Sequence, residues 1–325
     1  MNKYTEKIIH FWESWKNKFF TFHLRPVLSD GVKKTENGNH KDTAIVIQGP
    51  IIKEKQFTSE TVKIYKKLFP SAHIILSTWE DEGVKEFETL DIDILLNKKP
   101  ENPGVAHINY QIISVRNGIN LAKKYGVSYI LKTRTDQRIY NSKSLSYYKN
   151  LIKAFPIEKT KKAKGRIVAT SMNTLKYRPY SVSDMTFFGF WEDMFQYWNT
   201  EMGLEKSTKT CPVNSENIPA YFRCWVAEIF LCTNYLKSKG ENLKWTIGDS
   251  WKQYVDYFCI ADRSVVDLFW FKYNRHKEQR NLRYEGEFMS EEFEFADWLN
   301  LYLTRNYNDA PEQSIRKHFS EQVQK

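Results

Sequence analysis

The chain has 325 residues, of which 41% are hydrophobic and 15% aromatic, so it can bury a sizeable core and is not a disordered protein. Its 49 lysines and arginines outnumber 39 acidic residues, and the net charge of +10 favours an anionic partner such as a nucleotide, a phospholipid surface or a nucleic acid. The sequence contains neither a signal-peptide pattern nor an apolar run of the roughly 18 residues that a membrane span needs, so we expect a cytosolic location.

The four cysteines argue against a metal centre built on thiolates. Cys211, Cys224, Cys232 and Cys259 show no Cys-x-x-Cys spacing and no histidine-rich neighbourhood. Four cysteines in 325 residues are typical of a reducing compartment, where each is a small apolar side chain. We therefore expect structural cysteines.

Apolar residues recur at helical spacing near the N-terminus. Ile8, Trp12, Trp15 and Phe19 form one face of a predicted helix within residues 4–25. Two interpretations are open: the helix packs on the body of the domain, or this basic, aromatic helix lies in a membrane interface. A polar segment follows, so residues 1–42 are predicted to be a helix and a linker.

Residues 44–136 alternate between strand and helix patterns in the order βαββαβ. This order predicts an α/β fold of Rossmann type, with a mainly parallel sheet flanked by helices. Because the carboxyl ends of parallel strands meet at one edge of a sheet, where open α/β folds bind ligands, we expect a site at that edge. The predicted strands are 44–52, 73–77, 92–96 and the run after Gly126, and the predicted helices run from about Thr58 to Phe69 and from 107 to 125.

The strand that follows Gly126 ends in charged residues. Lys132, Arg134 and Asp136 alternate with threonines and so fall on one face. Burying three ionisable groups would cost several kcal/mol unless they paired or met a ligand, so this strand end is expected to open into a cleft. Two cations and a carboxylate suit a phosphate-bearing ligand, with or without a divalent metal. The alternative is a structural ion pair of Asp136 with Arg134 or Arg138.

The helix at 107–125 carries a small polar stripe beside its apolar face. Gln111, Ser114 and Gly118 form this stripe, and Gly126 ends the helix as a C-cap. Two interpretations are open: the stripe faces solvent, or it lines the cleft.

Two carboxylates stand among apolar residues in the second half of the chain. Asp184 precedes the buried aromatic run at 187–190, and it is either a turn cap or a group presented to a site. Glu228 lies on a predicted buried helix, from about 220 to 238, and it is either salt-bridged or a general acid or base with a raised pKa. Residues 274–325 are predicted to be a charged helical appendage, which leaves 43–273 as the central domain.

A set of short motifs, in order over about residues 44–275, resembles the WavE lipopolysaccharide-synthesis family, a group of bacterial glycosyltransferases. The first 40 and the last 50 residues lie outside this resemblance. The motifs are Val46-Ile-Gln-Gly-Pro50, Phe69-Pro70, Leu76-Ser-Thr-Trp-Glu80, Asn109-x-Gln111-x-x-Ser114, Lys132-Thr-Arg-Thr-Asp136-Gln-Arg138, Ser183-Asp184 and Ala227-Glu228.

The resemblance implies a GT-A-like fold and a nucleotide-sugar donor. Asp136 falls where such enzymes carry an Asp-x-Asp metal motif, which implies Mn²⁺ or Mg²⁺ with Asp136 as a ligand. Arg134, however, replaces the first carboxylate, so Arg134 and Lys132 could neutralise the diphosphate themselves. The residues expected to bind the donor are Gln48, Gly49, Pro50, Ser77, Thr78, Trp79, Asn109, Gln111, Ser114, Lys132, Arg134, Asp136 and Arg138.

Asp184 and Glu228 are the predicted catalytic residues, as bases that deprotonate an acceptor hydroxyl. Asp184 is preferred because its neighbours Ser183 and Thr186 indicate a polar opening. The implied reaction transfers a sugar to a growing surface glycan, which is lipopolysaccharide core, O-antigen or capsule. The acceptor is a glycan or a lipid-linked oligosaccharide, and the enzyme would work on the inner face of the bacterial inner membrane.

Three other functions are alternatives to glycosyl transfer. A non-catalytic nucleotide-sugar-binding protein, or a membrane-surface assembly protein, would keep the same sheet. A sugar nucleotidyltransferase normally has a Gly-rich, Arg-containing loop after its first strand, and the stretch from Gln48 to Ile51 does not match that pattern. Nucleic-acid binding is not expected, because the basic residues are dispersed and no recognition motif is present.

Overall fold

A computed structural model describes residues 3–16, 23–35, 38–203, 223–272 and 291–308. The expectations for Cys211, for Phe19 and for the first residues of the helix at 220–238 fall outside these ranges. The helices are α1 (Lys3–Lys16), α2 (Phe57–Leu68), α3 (Ile108–Ala122), α4 (Ser144–Ala154), α5 (Trp191–Trp198), α6 (Ala227–Ser238), α7 (Ile247–Tyr257) and α8 (Phe295–Thr304). The strands are β1 (Thr43–Gln48), β2 (His73–Trp79), β3 (Asp93–Asn97), β4 (Tyr129–Arg134), β5 (Gln137–Ile139), β6 (Ile167–Thr170), β7 (Phe187–Phe190), β8 (Phe258–Ala261) and β9 (Leu268–Trp270).

Seven strands form one sheet in the order β3-β2-β1-β4-β7-β6-β8. β1 pairs in parallel with β2 and with β4, and β2 pairs in parallel with β3. β7 is antiparallel to both of its neighbours, whereas β6 and β8 are parallel to each other. β5 and β9 form a separate antiparallel pair. The predicted α/β class with a mainly parallel sheet is therefore confirmed.

The strand order creates a switch point beside β1. From β1 the chain builds outward through β2 to β3 and then returns to place β4 on the other side of β1. At such a point the connections leave the sheet in opposite directions, and the crevice between them is where open α/β folds bind ligands. All six residues of β1 are buried, as expected for a central parallel strand.

The apolar run at 44–52 contains a Gly-Pro break, which predicts that its strand leaves the sheet at Gln48-Gly49-Pro50. β1 does end at Gln48, because Gly49 has a φ of 122° and turns the chain out of the sheet. β4 ends at Arg134, so Asp136 lies two residues beyond the strand. The helix predicted from about 220 to 238 contains α6. This helix begins at Ala227, because Val226 has extended backbone angles.

The chain after 290 contributes to the same core. Trp298 on α8 is fully buried, and its indole N–H donates to the carbonyl oxygens of Tyr254 and Phe258, at 3.2 and 2.9 Å. The described part of the predicted C-terminal appendage is thus anchored in the domain. Among the described residues, no helix combines the length and the apolar character needed to cross a membrane.

Candidate functional site

A cavity of about 520 Å³ opens at the carboxyl edge of β1, β2 and β4. This volume is within the range of small-molecule sites. Seven of the residues predicted to bind the donor line it, which are Gln48, Gly49, Pro50, Trp79, Gln111, Arg134 and Asp136. The other lining residues, which sequence reasoning did not assign to the site, are Ile52, Lys99, Ala106, His107, Tyr110, Thr135 and Lys272.

One end of this cavity is aromatic. The ring of Tyr110 lies between those of Trp79 and His107, with centroid distances of 5.2 and 5.5 Å. The ammonium of Lys99 is 6.0 Å from the centroid of Trp79 and pairs with Asp81 at 2.6 Å. The aromatic end therefore offers a flat apolar surface with a cation at its rim. The sequence feature that could have identified Tyr110 as a lining residue is its position in the first turn of α3, which begins beside the strand ends.

The other end of the cavity is charged. Arg134 donates from Nε and Nη2 to the two oxygens of Asp136, at 2.9 and 3.1 Å, and the indole of Trp270 donates to Oδ2 at 3.0 Å. Burial acts to raise the pKa of Asp136, but Arg134 and Trp270 outweigh it and hold that pKa below its usual value. The ion pair between Arg134 and Asp136, which was the alternative interpretation of this strand end, is thus present.

The carboxylate of Asp136 is poorly arranged for a metal ligand. Both of its oxygens already accept hydrogen bonds, and the positive guanidinium that pairs with them would repel a divalent ion. Among the described residues no group of three or more His, Cys, Asp or Glu side chains could hold a metal ion. The expected Mn²⁺ or Mg²⁺ stays a prediction, and we assign no chemical step to a metal.

Lys132 does not reach the cavity. Its side chain is fully buried, and Nζ donates to the carbonyl oxygens of Asp184 and Met185, the second at 3.2 Å. The ammonium also lies 4.8 Å from the ring centroid of Trp198. Burial lowers the pKa of Lys132 to about 7. The diphosphate-neutralising role expected of Lys132 is not supported by this position; Lys132 holds the backbone that carries Asp184.

Ser114 and Gly118 of the polar stripe on α3 face the sheet, which neither interpretation anticipated, whereas Gln111 of the same stripe lines the cavity. Ser114 Oγ donates to Gln48 Oε1 at 3.0 Å, and Ser77 Oγ donates to the Ser114 carbonyl at 2.7 Å. Asn97 Nδ2 completes the network by donating to Ser77 Oγ at 2.9 Å. Ser77, Ser114 and Thr78 are fully buried, so they support the floor of the cavity instead of lining it.

Asn109 and Arg138 also lie outside the cavity lining. Asn109 exchanges hydrogen bonds with the backbone of Gly203, at 2.9 and 2.6 Å. Arg138 is buried, and it donates to Thr61 Oγ1 and to the carbonyls of Phe57 and Val27, each at 2.9 Å. Both side chains are committed to backbone or structural partners, and spacing along the sequence carries no signal that separates such roles from ligand binding.

The two candidate catalytic carboxylates are linked to the cavity through Gln111. This residue lines the cavity, and its Nε2 donates to Asp184 Oδ2 at 2.9 Å. Glu228 is in the first turn of α6, where burial first and the charge of Asp184 second raise its pKa to about 7. Ser183 and Thr186 are buried, so the polar opening expected beside Asp184 is not formed by them. The result is a pair of carboxylates, Asp184 buried and Glu228 half-buried, that Gln111 links to the cavity.

The fold and the site define a class: an α/β protein with an aromatic and cationic ligand cavity at the switch point of its sheet and a carboxylate of raised pKa beside it. A sequence model of the family described as WavE lipopolysaccharide synthesis matches residues 43–325. The chain belongs to this family. The match continues past residue 275, where the motif resemblance ended, in agreement with the packing of α8. No curated protein has significant sequence similarity to the chain.

Solved structures share part of the fold at low identity. One is a mannose-1-phosphate geranyltransferase from Thermus thermophilus, with 10% identity, a TM-score of 0.31, and coverage of 48% of this chain and 63% of that chain. Another is a cytidylyltransferase from Leptospira borgpetersenii, with 10% identity, a TM-score of 0.31, and coverage of 49% and 63%. HddC from Yersinia pseudotuberculosis, complexed with GMP-PN, has 11% identity, a TM-score of 0.30, and coverage of 51% and 83%. The chain thus spans less than two thirds of the first two structures.

Proposed function

We propose that this protein is a glycosyltransferase, which moves a sugar from a nucleotide-sugar donor to a growing surface glycan of the lipopolysaccharide core, O-antigen or capsule type. The observation that carries the proposal is the connection made by Gln111. It joins a cavity of small-molecule size to a pair of carboxylates, one of which has a pKa raised to about 7. Membership of a lipopolysaccharide-synthesis family supports the polysaccharide role.

The two ends of the cavity suit the two parts of a nucleotide. A base can stack on Tyr110 and Trp79, because every base has a π-face that is attracted to aromatic side chains. The diphosphate would then lie toward Arg134 and Lys272, where a guanidinium fork matches phosphate oxygens. Arg134 stabilises the charge that develops on the departing nucleoside diphosphate.

The carboxylate pair supplies the proton acceptor. Glu228 has a pKa near working pH, which is what a general base requires, and it takes the proton of the acceptor hydroxyl as that oxygen attacks the anomeric carbon. The bond between the anomeric carbon and the diphosphate oxygen breaks, and the electron pair leaves with the nucleotide. Asp184, oriented by Gln111 and by Lys132, keeps the pKa of Glu228 high through its charge.

The experiment is a thermal-shift panel with UDP, GDP, CDP and CMP. We expect at least one nucleotide to raise the Tm, because a ligand that binds only the folded state stabilises it by mass action. Each nucleotide is measured in EDTA and again with manganese or magnesium. Absence of a shift under all of these conditions would refute the transferase proposal. Binding without release of nucleotide from any nucleotide sugar would favour the non-catalytic alternative.

A second proposal concerns α1, which presents its apolar face outward. Ile8, Phe11 and Trp15 are exposed by 58%, 67% and 61%, whereas Ile9 on the opposite side is half-buried. Of the two interpretations that the sequence left open, this arrangement supports the membrane interface, because a helix packed on the domain would bury that face. We therefore propose that α1 lies in an anionic membrane surface and brings the site to a lipid-linked acceptor.

Liposome flotation tests the role of α1. Replacing Trp12 and Trp15 with Gln should reduce flotation with anionic vesicles at low salt at least several-fold, because both rings bury apolar area in the interface. Leu303→Gln, which changes an apolar residue on α8 that is more exposed than either tryptophan, is the control and should float like the wild type. Equal flotation of all three proteins would contradict the proposal.

A further inference from the structure

Arg178 is a half-buried cation for which the mechanism above has no use. Its Nε is buried and has no hydrogen-bond partner, and the described residues give the guanidinium no ion pair. A buried guanidinium nitrogen without a hydrogen bond costs free energy, so this atom calls for an explanation. Burial accordingly lowers the pKa of Arg178.

Arg178 is close enough to Glu228, one of the two candidate catalytic carboxylates, to interact with its charge. Glu228 is its main electrostatic partner, and the two attract each other without a direct ion pair. Arg134, which also acts on Glu228, lines the nucleotide cavity, whereas Arg178 does not. Two arginines therefore act on the charge of Glu228. Arg134 belongs to the donor cavity, whereas Arg178 is available to another group of a ligand.

The segment that carries Arg178 is held firmly. Tyr254 donates its hydroxyl to the Arg178 carbonyl at 3.4 Å, and Ser250 Oγ accepts from the backbone N–H of Tyr180 at 2.7 Å. The same segment leads to Asp184, whose backbone Lys132 holds. A guanidinium and a carboxylate presented on one fixed segment form a preorganised recognition site.

We propose that Arg178 binds an anionic group of the acceptor, a carboxylate or a phosphate on the sugar whose hydroxyl is presented to Glu228. This inference rests on the proposed function, because it takes the Glu228 side to be the acceptor side. An anion offers the acceptors that the guanidinium lacks, and the ligand hydroxyl lies toward the carboxylate pair. The acceptor class is thus an acidic or phosphorylated glycan.

Ligand-observed NMR with the full chain tests the proposal without requiring turnover. The probes are glucuronate, glucose 6-phosphate and neutral methyl glucoside, so the first two distinguish a carboxylate from a phosphate. We expect at least one anionic sugar to bind more tightly than methyl glucoside, and Arg178→Gln to weaken that binding tenfold or more. Arg116→Gln, which removes an arginine that does not line the cavity, is the control and should bind like the wild type.

Thermal unfolding separates this role from a structural one. If Arg178 waits for a ligand, Arg178→Gln and Arg178→Met should leave the Tm of the ligand-free protein unchanged or raised, as is common when binding residues are removed. A marked fall in Tm or failure to fold in both variants would identify a structural counter-ion of Glu228 and overturn the proposal. Wild-type binding that is equal for charged and neutral sugars would overturn it as well. Nucleotide binding is measured separately, so loss of the proposed transferase function leaves a different signature.

Discussion

At the scale of single residues, the environment of Glu228 decides the proposed chemistry. A carboxylate at a helix N-terminus normally has a lowered pKa, because the helix dipole stabilises its charge. Here burial and the neighbouring charge of Asp184 prevail and raise the pKa to about 7. The sequence showed both carboxylates, but it could not show that Gln111 donates to one oxygen of Asp184 or that the pKa of Glu228 is raised.

Replacing each carboxylate should give distinct pH profiles. Glu228→Gln should lower the rate of nucleotide release from the nucleotide-sugar donor by about 10²- to 10⁴-fold and remove the rise in rate near pH 7, because the proton acceptor is lost. Asp184→Asn removes the like charge and should move that rise to lower pH. Nucleotide affinity should change little in both variants. An unchanged rate in Glu228→Gln, with a large loss in Asp184→Asn, would transfer the base role to Asp184.

The pH dependence of protein stability should also report the raised pKa of Glu228. The pKa of Glu228 is raised from 4.5 in the unfolded chain to about 7 in the folded protein, so the folded state keeps its proton over this window while the unfolded state loses it. The free energy of unfolding therefore falls as pH rises through the window. Glu228→Gln removes this loss, so its Tm relative to wild type should be higher at pH 8 than at pH 5. An equal difference at both pH values would contradict the raised pKa.

At the scale of elements, α3 connects the sheet with the site. Its residue Gly118 packs so closely on β1 that a Cβ would lie 2.5 Å from Cγ1 of Val46. Glycine inside a helix costs about 0.5–1 kcal/mol relative to alanine, so its presence requires such a contact. Periodicity correctly predicted the helix, but sequence spacing cannot show that Ser114 of the polar stripe bonds to buried Gln48 while Gln111 lines the cavity.

A methyl group added at this contact should therefore lower the free energy of unfolding. Gly118→Ala should destabilise the protein by about 1–3 kcal/mol, because the added Cβ overlaps Val46 in a packed core. Gly83→Ala, where a Cβ would have no neighbour within 4 Å, should change stability by less than about 0.5 kcal/mol. Urea unfolding measures both free energies. Equal stability of the two variants would show that α3 can move away from β1.

At the scale of the whole molecule, the succession of strands and helices up to Asp136 was predictable, and the lining of the site was predictable only in part. The predicted strand ends include Gln48, Trp79 and Arg134 of the cavity lining, since parallel topology brings strand ends to one edge. Lys272 lies about 140 positions beyond Arg134 and carried no local signal. Lys132 alternates correctly with Arg134 along β4, but the backbone of Asp184 and Met185 and the ring of Trp198 cover it. Alternation alone does not distinguish a covered face from an open one.

The most direct test of the central claim, that the cavity at the carboxyl edge is the nucleotide site, is calorimetry of two tyrosine variants with the nucleotide found by thermal shift. Tyr110 lines this cavity, whereas Tyr125 lines a second cavity of about 420 Å³ with His73 and Asp93. Tyr110→Ala should weaken nucleotide binding by about 5- to 150-fold, the equivalent of the 1–3 kcal/mol of one base stack. Tyr125→Ala should bind like the wild type. Unchanged affinity in Tyr110→Ala, or a loss confined to Tyr125→Ala, would contradict the account.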